Sequence, residues 1–210
     1  MPKTSIDRRA LLASGVATAT ALVAGGPAVA APAPLPNRWQ NGRSPWPLCL
    51  DTATIRPTPL LDKIAIAAKA GFDAIEPWDG ELRDFESNGG SLSDLGTRIK
   101  DAGLFVPSVI GLWNAIPPTE EEWLANLSET RNRMRMASAI GAEFVQVIPQ
   151  PRRPWQEFDL KWAATKYRAL LEMGLADYNL NPAMVFVEFL PGAARMGQAA
   201  AIALDADHPK

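Results

Sequence analysis

Residues 183–191 read AMVFVEFLP, an almost continuous apolar run with proline at its end and at position 182 before it. Such a run is typical of a β-strand buried on both faces, as in a parallel sheet covered by helices. Glu188 interrupts the run, and a carboxylate there is costly unless it is paired, hydrogen-bonded or bound to a metal. Because parallel α/β folds build active sites at the carboxyl ends of strands, Glu188 is a candidate functional residue. The local pattern alone supports the alternative at least as well as a functional role: Glu188 would point out of the sheet or pair with an arginine or lysine.

The chain before this run alternates strand-like and helix-like patterns from residue 46 onward. Strands are predicted at residues 46–52, 72–77, 104–110 and 142–148, followed by the run at 183–191. Start signals predict helices after Thr58-Pro59, after Ser91, from Thr119 to about Ile140, from Asp159 to about Met173, and over residues 193–206. This alternation predicts right-handed βαβ crossovers and a parallel sheet.

The composition excludes several classes of function. The chain has 210 residues, of which 47% are hydrophobic and 21% charged, as in an ordinary globular protein. Its formal net charge of −2 gives no sign of a nucleic-acid partner. The single cysteine, Cys49, excludes an internal disulfide framework, and the single histidine, His208, excludes most imidazole chemistry. Neither a G-x-G-x-x-G nor a G-K-[ST] motif occurs, so nucleotide binding has no support.

The N-terminus has the pattern of an export signal. Lys3, Arg8 and Arg9 precede a weakly apolar run, which is followed by the small-residue site Ala28-Val29-Ala30. The run is too short and too rich in Gly, Ser and Thr to form a stable membrane span. The arginine pair resembles a bacterial twin-arginine signal, and a Sec signal is the alternative. We therefore expect residues 1–30 to be a signal peptide and the protein to be exported, periplasmic or secreted. Residues 31–45 are predicted to be a proline-rich spacer before a domain at 46–210.

Four segments resemble a known family. They are residues 49–56 (CLDTATIR), 67–78 (AAKAGFDAIEPW), 90–96 (GSLSDLG) and 187–189 (VEF). Together they resemble the sugar phosphate isomerase/epimerase group of xylose-isomerase-like TIM barrels, with residues 67–78 the most specific match. The resemblance covers about residues 46–210. It implies an α/β, partial (β/α) TIM-barrel-like fold with about five βα units of the usual eight.

The same resemblance implies a site at the carboxyl ends of the strands. Glu188 would be the first metal ligand and a catalytic carboxylate, and manganese or magnesium would be the divalent metal. The reaction would be isomerisation or epimerisation of a small-molecule sugar or sugar phosphate by proton transfer next to a carbonyl. Glu76, Trp78 and Trp113 would bind the substrate at that face. The alternatives for these three are a surface carboxylate and two packing tryptophans.

The chain also departs from the family pattern. A (β/α)₈ barrel usually takes roughly 250 residues, so we expect a C-terminally truncated barrel whose metal site lacks the ligands of later strands. Enzymatic activity is therefore left open. The alternative functions are a non-catalytic carbohydrate-binding module on the same fold or, with less support, an endonuclease-like hydrolase, which needs several histidines. Open sheet edges, expected around residues 48–51 and 185–189, predict self-association.

The first testable prediction concerns export. We expect the mature chain to begin near Ala31 and its export to require the Arg8-Arg9 pair. Replacing both by lysine keeps the positive charge but removes the twin-arginine signal, so the precursor should accumulate in the cytoplasm. Immunoblots of cell fractions after a pulse–chase would measure this. Unchanged processing would point instead to the Sec route or to no export.

Overall fold

The computed structural model describes residues 38–149, 159–190 and 193–209. The predicted signal peptide and the first part of the spacer lie outside these residues and stay predictions. The described end of the spacer contacts the domain: the Gln40 side chain donates a hydrogen bond to Gly71 O at 3.0 Å and another to Asp73 Oδ2 at 2.6 Å. This part of the spacer is therefore attached to the fold.

Strands and helices alternate through the described residues. The strands are β1 (Cys49–Asp51), β2 (Ala74–Glu76), β3 (Ser108–Trp113), β4 (Phe144–Ile148) and β5 (Asn181–Met184). The α-helices are α1 (Leu60–Ala70), α2 (Asp79–Ser87), α3 (Leu92–Asp101), α4 (Glu120–Ala139), α5 (Leu160–Tyr178) and α6 (Met196–Asp205), and a 3₁₀ turn (Thr52–Ile55) follows β1. The predicted alternation is confirmed, but the sequence analysis missed α2, placed β3 about four residues too early and ended α5 about five residues too soon.

The strands form two parallel sheets in chain order, β1-β2 and β3-β4-β5. β1 pairs with β2, β3 with β4 and β4 with β5, all in parallel. Parallel bridges from Ala74 to Phe105 and from Trp78 to Ile110 connect β2 with the β3 segment. In the described part of the chain, β1 and β5 do not pair with each other. The fold is therefore α/β, a partial TIM-barrel-like fold of about five βα units, as predicted.

The helices begin and end where local chemistry directs them. The Ser91 hydroxyl accepts from the Asp94 amide at 3.2 Å, and the Thr119 hydroxyl accepts from the Glu122 amide at the same distance. The Asp159 carboxylate accepts from the amides of Lys161 and Trp162. Gly71 ends α1 in the left-handed region with φ 82°, a conformation that favours glycine. These side chains satisfy amides that an isolated helix leaves unbonded.

The main core lies between the sheet and the helices. Alternate strand residues point to this side and are buried, namely Leu50, Ile75, Val109, Leu112, Val145 and Val147. Lys63 of α1 is buried beside them with 1% of its surface exposed. Its ammonium donates to Thr52 O at 2.9 Å and to Glu81 Oε1 at 2.6 Å. The pairing offsets the cost of burying the charge and ties the end of β1 to α1 and α2.

The strand predicted at residues 183–191 is wrong in its position. β5 spans Asn181–Met184. Its last residue, Met184, is the register partner of Val147, which lies one residue before the end of β4. The apolar residues that follow β5 are not in a strand, and Leu190 packs against Ile110 and Ile148. The edge expected at residues 185–189 is therefore at Asn181–Met184, whereas the edge around residues 48–51 coincides with β1.

The outer edge of β5 is closed by a side chain of the helix before it. The Tyr167 hydroxyl donates to Pro182 O at 3.0 Å and accepts from the Met184 amide at 3.3 Å. Pro182 itself has no amide hydrogen to offer. Backbone groups of an edge strand usually remain free to pair with another chain, but here they are occupied. Self-association stays a prediction.

Of the described helices, none is long and apolar enough to cross a membrane.

The second prediction tests this edge. Tyr167→Phe keeps the ring but frees the Met184 amide, so we expect faster hydrogen exchange at Met184 and stronger association of the chain than in the wild type. Loss of the hydrogen bonds should lower the free energy of unfolding by about 1 kcal/mol. Hydrogen-exchange mass spectrometry and light scattering across a dilution series measure the two effects.

Two controls accompany this variant. Tyr178→Phe removes the hydroxyl of the other tyrosine and should leave Met184 exchange unchanged. Adding Met184→Pro to Tyr167→Phe removes the freed amide, and association should return to the wild-type level. Equal exchange at Met184 in the wild type and in Tyr167→Phe would contradict the closed edge.

Candidate functional site

Two carboxylates lie side by side at the carboxyl ends of the first strands. Asp51 ends β1, Glu76 ends β2, and the two are register partners. Asp51 Oδ1 accepts from the Ala53 amide at 2.8 Å and from the Trp78 indole N–H at 3.1 Å. The sequence analysis did not single out Asp51, although a carboxylate near the carboxyl end of a predicted strand was a usable signal.

Glu76 lies in a partly buried, polar environment. Gln146 of β4 donates to Glu76 Oε1 at 2.8 Å across the inner face of the sheet. Burial raises the pKa of Glu76, and the neighbouring Asp51 charge adds to this, while the Gln146 amide acts in the opposite direction. The Ser108 hydroxyl lies close enough to lower that pKa too, although its geometry falls short of a hydrogen bond. A carboxyl of this kind holds its proton to a higher pH than an exposed glutamate.

Cys49 shares this face, two residues before Asp51. Burial and the charges of Glu76 and Asp51 raise the pKa of its thiol to about 11. Because the thiolate is the reactive form, Cys49 is unreactive near neutral pH.

Trp78 and Trp113 come together as an indole pair above these carboxylates. Their ring centroids are 5.6 Å apart with an interplanar angle of 31°, and the Arg56 guanidinium lies 5.0 Å from the centroid of Trp78. Both tryptophans are partly buried and pack against a small apolar cluster that includes Ile110 and Leu190. Both tryptophans therefore have packing contacts and remain partly exposed, and their role in binding a substrate stays a prediction.

Glu188 is not at the end of a strand. It is exposed on a turn, four residues past the last residue of β5. Within the described ranges, no three His, Cys, Asp or Glu side chains lie close enough together to hold a metal ion. The described residues do not fit the predicted manganese or magnesium centre, and we derive no catalytic step through a metal. Glu188 as metal ligand and catalytic carboxylate stays a prediction.

Comparison with known proteins finds similarity at the level of structure. No family model matches the sequence, and no curated protein matches it. The crystal structure of IolI protein with a bound zinc atom superposes with a TM-score of 0.68 and 19% identity, covering 78% of this chain and 60% of that chain. D-psicose 3-epimerase from Clostridium cellulolyticum H10, with D-tagatose, gives a TM-score of 0.65 and 12% identity over 78% of this chain and 61% of that one.

A xylose isomerase domain containing protein from Salmonella typhimurium LT2 gives a TM-score of 0.64 and 14% sequence identity, covering 77% of this chain and 57% of that chain. The fold is therefore similar to part of a TIM barrel. Identities this low show the fold alone, and the chain spans about 60% of the length of the solved structures that it matches. Any activity of the whole barrel is therefore a proposal for this chain.

The third prediction concerns the pH dependence of stability. Because the pKa of Glu76 is raised in the folded state, its contribution is fully present below the ordinary value of 4.5 and is lost as the pH rises through the folded value. Glu76→Gln does not titrate. The free energy of unfolding of Glu76→Gln minus that of the wild type should therefore be larger at pH 7 than at pH 4. The change should be on the order of 1 kcal/mol or less, since solvent screens a partly exposed group.

Urea unfolding of both proteins at the two pH values measures this difference. Glu121→Gln, an exposed glutamate on α4, is the matched control and should show a smaller change with pH. The same pH-dependent difference in both variants would rule out a special environment for Glu76.

Proposed function

We propose that this chain binds a small sugar or sugar phosphate at the carboxyl ends of its strands, on a fold similar to that of sugar epimerases. The observation that carries the proposal is the Trp78–Trp113 pair beside the Asp51 and Glu76 carboxylates. Indole faces pack against the C–H groups of a sugar ring, while carboxylates and amides bind its hydroxyl groups. The cluster offers both kinds of contact within one small area.

The fold supports this placement. TIM-barrel enzymes have their active sites at the carboxyl ends of the strands, where this cluster lies. The similar structures include D-psicose 3-epimerases with D-fructose or D-tagatose and a probable 3-DHS dehydratase from Bacillus anthracis. Those names describe proteins that act on small polyhydroxylated molecules. They favour the same class of ligand for this chain.

Each residue of the cluster has a distinct part in this proposal. The two indoles bind the apolar face of the ring and exclude water from it. Asp51 Oδ2 accepts a hydrogen bond from a sugar hydroxyl, since Oδ1 is already used by the Ala53 amide and the Trp78 indole. Glu76, whose Oε1 is held by Gln146, is placed to bind a second sugar hydroxyl through Oε2.

Catalysis is the second candidate. Isomerisation or epimerisation would use Glu188 together with manganese or magnesium, and the similarity to a zinc-bound structure supports it at the level of the fold. The donor groups for such an ion are not assembled among residues 38–149, 159–190 and 193–209. Binding without chemistry, as in a carbohydrate-binding module, is therefore what the described geometry supports best. The endonuclease-like alternative has the least support, because the chain has one histidine.

Export and self-association are carried forward as proposals. The Arg8-Arg9 pair and the small-residue site support export through the twin-arginine route. Exposed apolar side chains support association at the β1 end of the sheet, where Trp46 is 65% and Leu48 46% exposed.

The fourth prediction tests sugar binding. D-fructose and D-fructose 6-phosphate are titrated into the mature chain and followed by calorimetry and tryptophan fluorescence. Trp78→Ala and Trp113→Ala should each weaken binding about ten-fold, which corresponds to about 1.4 kcal/mol. Trp46→Ala, an exposed tryptophan before β1, is the matched control and should bind like the wild type. Absence of saturable binding, or an equal loss in Trp46→Ala, would refute the proposed site.

Turnover distinguishes the two candidate functions. D-fructose is incubated with the chain and manganese or magnesium, and new sugar isomers are measured by chromatography. Turnover that Glu188→Gln abolishes without loss of D-fructose binding would support the isomerase. Binding without turnover, together with no saturable metal binding at millimolar concentration, would support the binding module.

A further inference from the structure

A buried ion pair lies directly behind the indole pair. Asp79 opens α2, immediately after Trp78, and is 6% exposed. Arg133 of α4 places its Nε 3.1 Å from Asp79 Oδ2, and its side chain is 15% exposed. Neither residue was singled out by the sequence, because they are far apart in the chain and each has an ordinary local context.

The ion pair contacts both segments of the chain that carry the tryptophans. Arg133 Nη1 donates to the carbonyl oxygen of Trp113 at 2.9 Å. Asp79 is joined to Trp78 by a peptide bond. Burial raises the pKa of Asp79, and Arg133, Arg83 and the Trp113 side chain act in the opposite direction. One guanidinium therefore holds the backbone of one tryptophan and the residue next to the other.

The β3 strand is shaped to admit Asp79. Its register with β4 shifts between Ile110 and Leu112, and the residue between them is Gly111. A Cβ at Gly111 would lie 3.2 Å from Asp79 Cβ, tighter than ordinary packing allows. Such irregularities change the direction of the side chains that follow, and Trp113 lies two residues after Gly111.

An ion pair can also serve only to join two helices, and α2 and α4 offer a direct comparison. Arg135 of α4 pairs with Glu86 of α2 through two hydrogen bonds of 2.9 and 2.6 Å. That pair is largely exposed, at 45% and 39% of the side-chain surface, and it contacts neither tryptophan. The Arg133–Asp79 pair differs in being less exposed, at 15% and 9% of the side-chain surface, and in contacting the Trp113 backbone.

We propose that Arg133 and Asp79 are positioning residues that set the geometry of the Trp78–Trp113 pair for a sugar ring. The inference rests on the proposed sugar site, to which it adds two residues that do not touch the ligand. Lysine in place of Arg133 keeps the positive charge but lacks the planar fork that reaches Asp79 and the Trp113 carbonyl at once. The indole pair should then lose its fixed geometry while the helices stay joined.

The experiment compares Arg133→Lys with the matched control Arg135→Lys. Two readouts are used: circular dichroism from coupling between the two indoles, and the dissociation constant for D-fructose by calorimetry. We expect Arg133→Lys to lose most of the coupling signal and to bind D-fructose about ten-fold more weakly. Arg135→Lys should match the wild type in both. Trp78→Phe identifies the coupling signal, because it removes one partner.

Urea unfolding shows whether each variant is folded. If Arg133→Lys unfolds, the double variant Arg133→Gln/Asp79→Asn replaces it, since it leaves no uncompensated buried charge. An unchanged coupling signal and dissociation constant in a folded Arg133 variant would overturn the inference, as would equal losses in Arg135→Lys. If the wild type binds no sugar but the Arg133 variant still loses the coupling signal, the proposed function fails while the positioning of the indoles stands.

Discussion

Parallel pairing in a single register is the constraint on which the candidate site depends. Because β1 and β2 run in the same direction with Asp51 opposite Glu76, both carboxylates appear at one end and on one face of the sheet. Side chains alternate between faces along a strand, so a slip of one residue would turn either carboxylate into the core. The core on the opposite face fixes that register, since Leu50 and Ile75 must be buried together. Packing under the helices therefore determines which polar groups face a ligand.

Much of the fold was predictable from local pattern, and the exceptions have physical reasons. Ser91, Thr119 and Asp159 begin helices because their side-chain oxygens bond to amides within the next three residues, a relation that sequence displays. Helix α2 was missed because it is polar and buries Leu82 as its one aliphatic residue. The position of β5 was wrong because an apolar run does not reveal where the neighbouring strand stops pairing.

The site was predictable only in its locally encoded part. Glu76 and Trp78 follow a recognisable strand end, and Trp113 lies at the end of the next strand. Gln146 meets Glu76 from 70 residues away, and Arg133 reaches Trp113 from a helix whose own pattern gives no hint of it. Contacts of this range depend on how the elements pack, which a single sequence does not state. Glu188 showed the reverse problem, a strong local pattern whose position depends on distant pairing.

The side chain of Tyr167, a residue of helix α5, covers the outer edge of β5. A strand that joined β5 would have to displace the two hydrogen bonds that Tyr167 makes to Pro182 and Met184, and Pro182 would offer it no amide in return. A strand added at this edge would therefore replace the hydrogen bonds of Tyr167 with its own, and the number of hydrogen bonds to the β5 backbone would change little. The driving force for this addition would come from covering apolar side chains such as Phe186, which is 50% exposed. Shape and apolarity, more than strand-forming tendency, would select a partner for this edge.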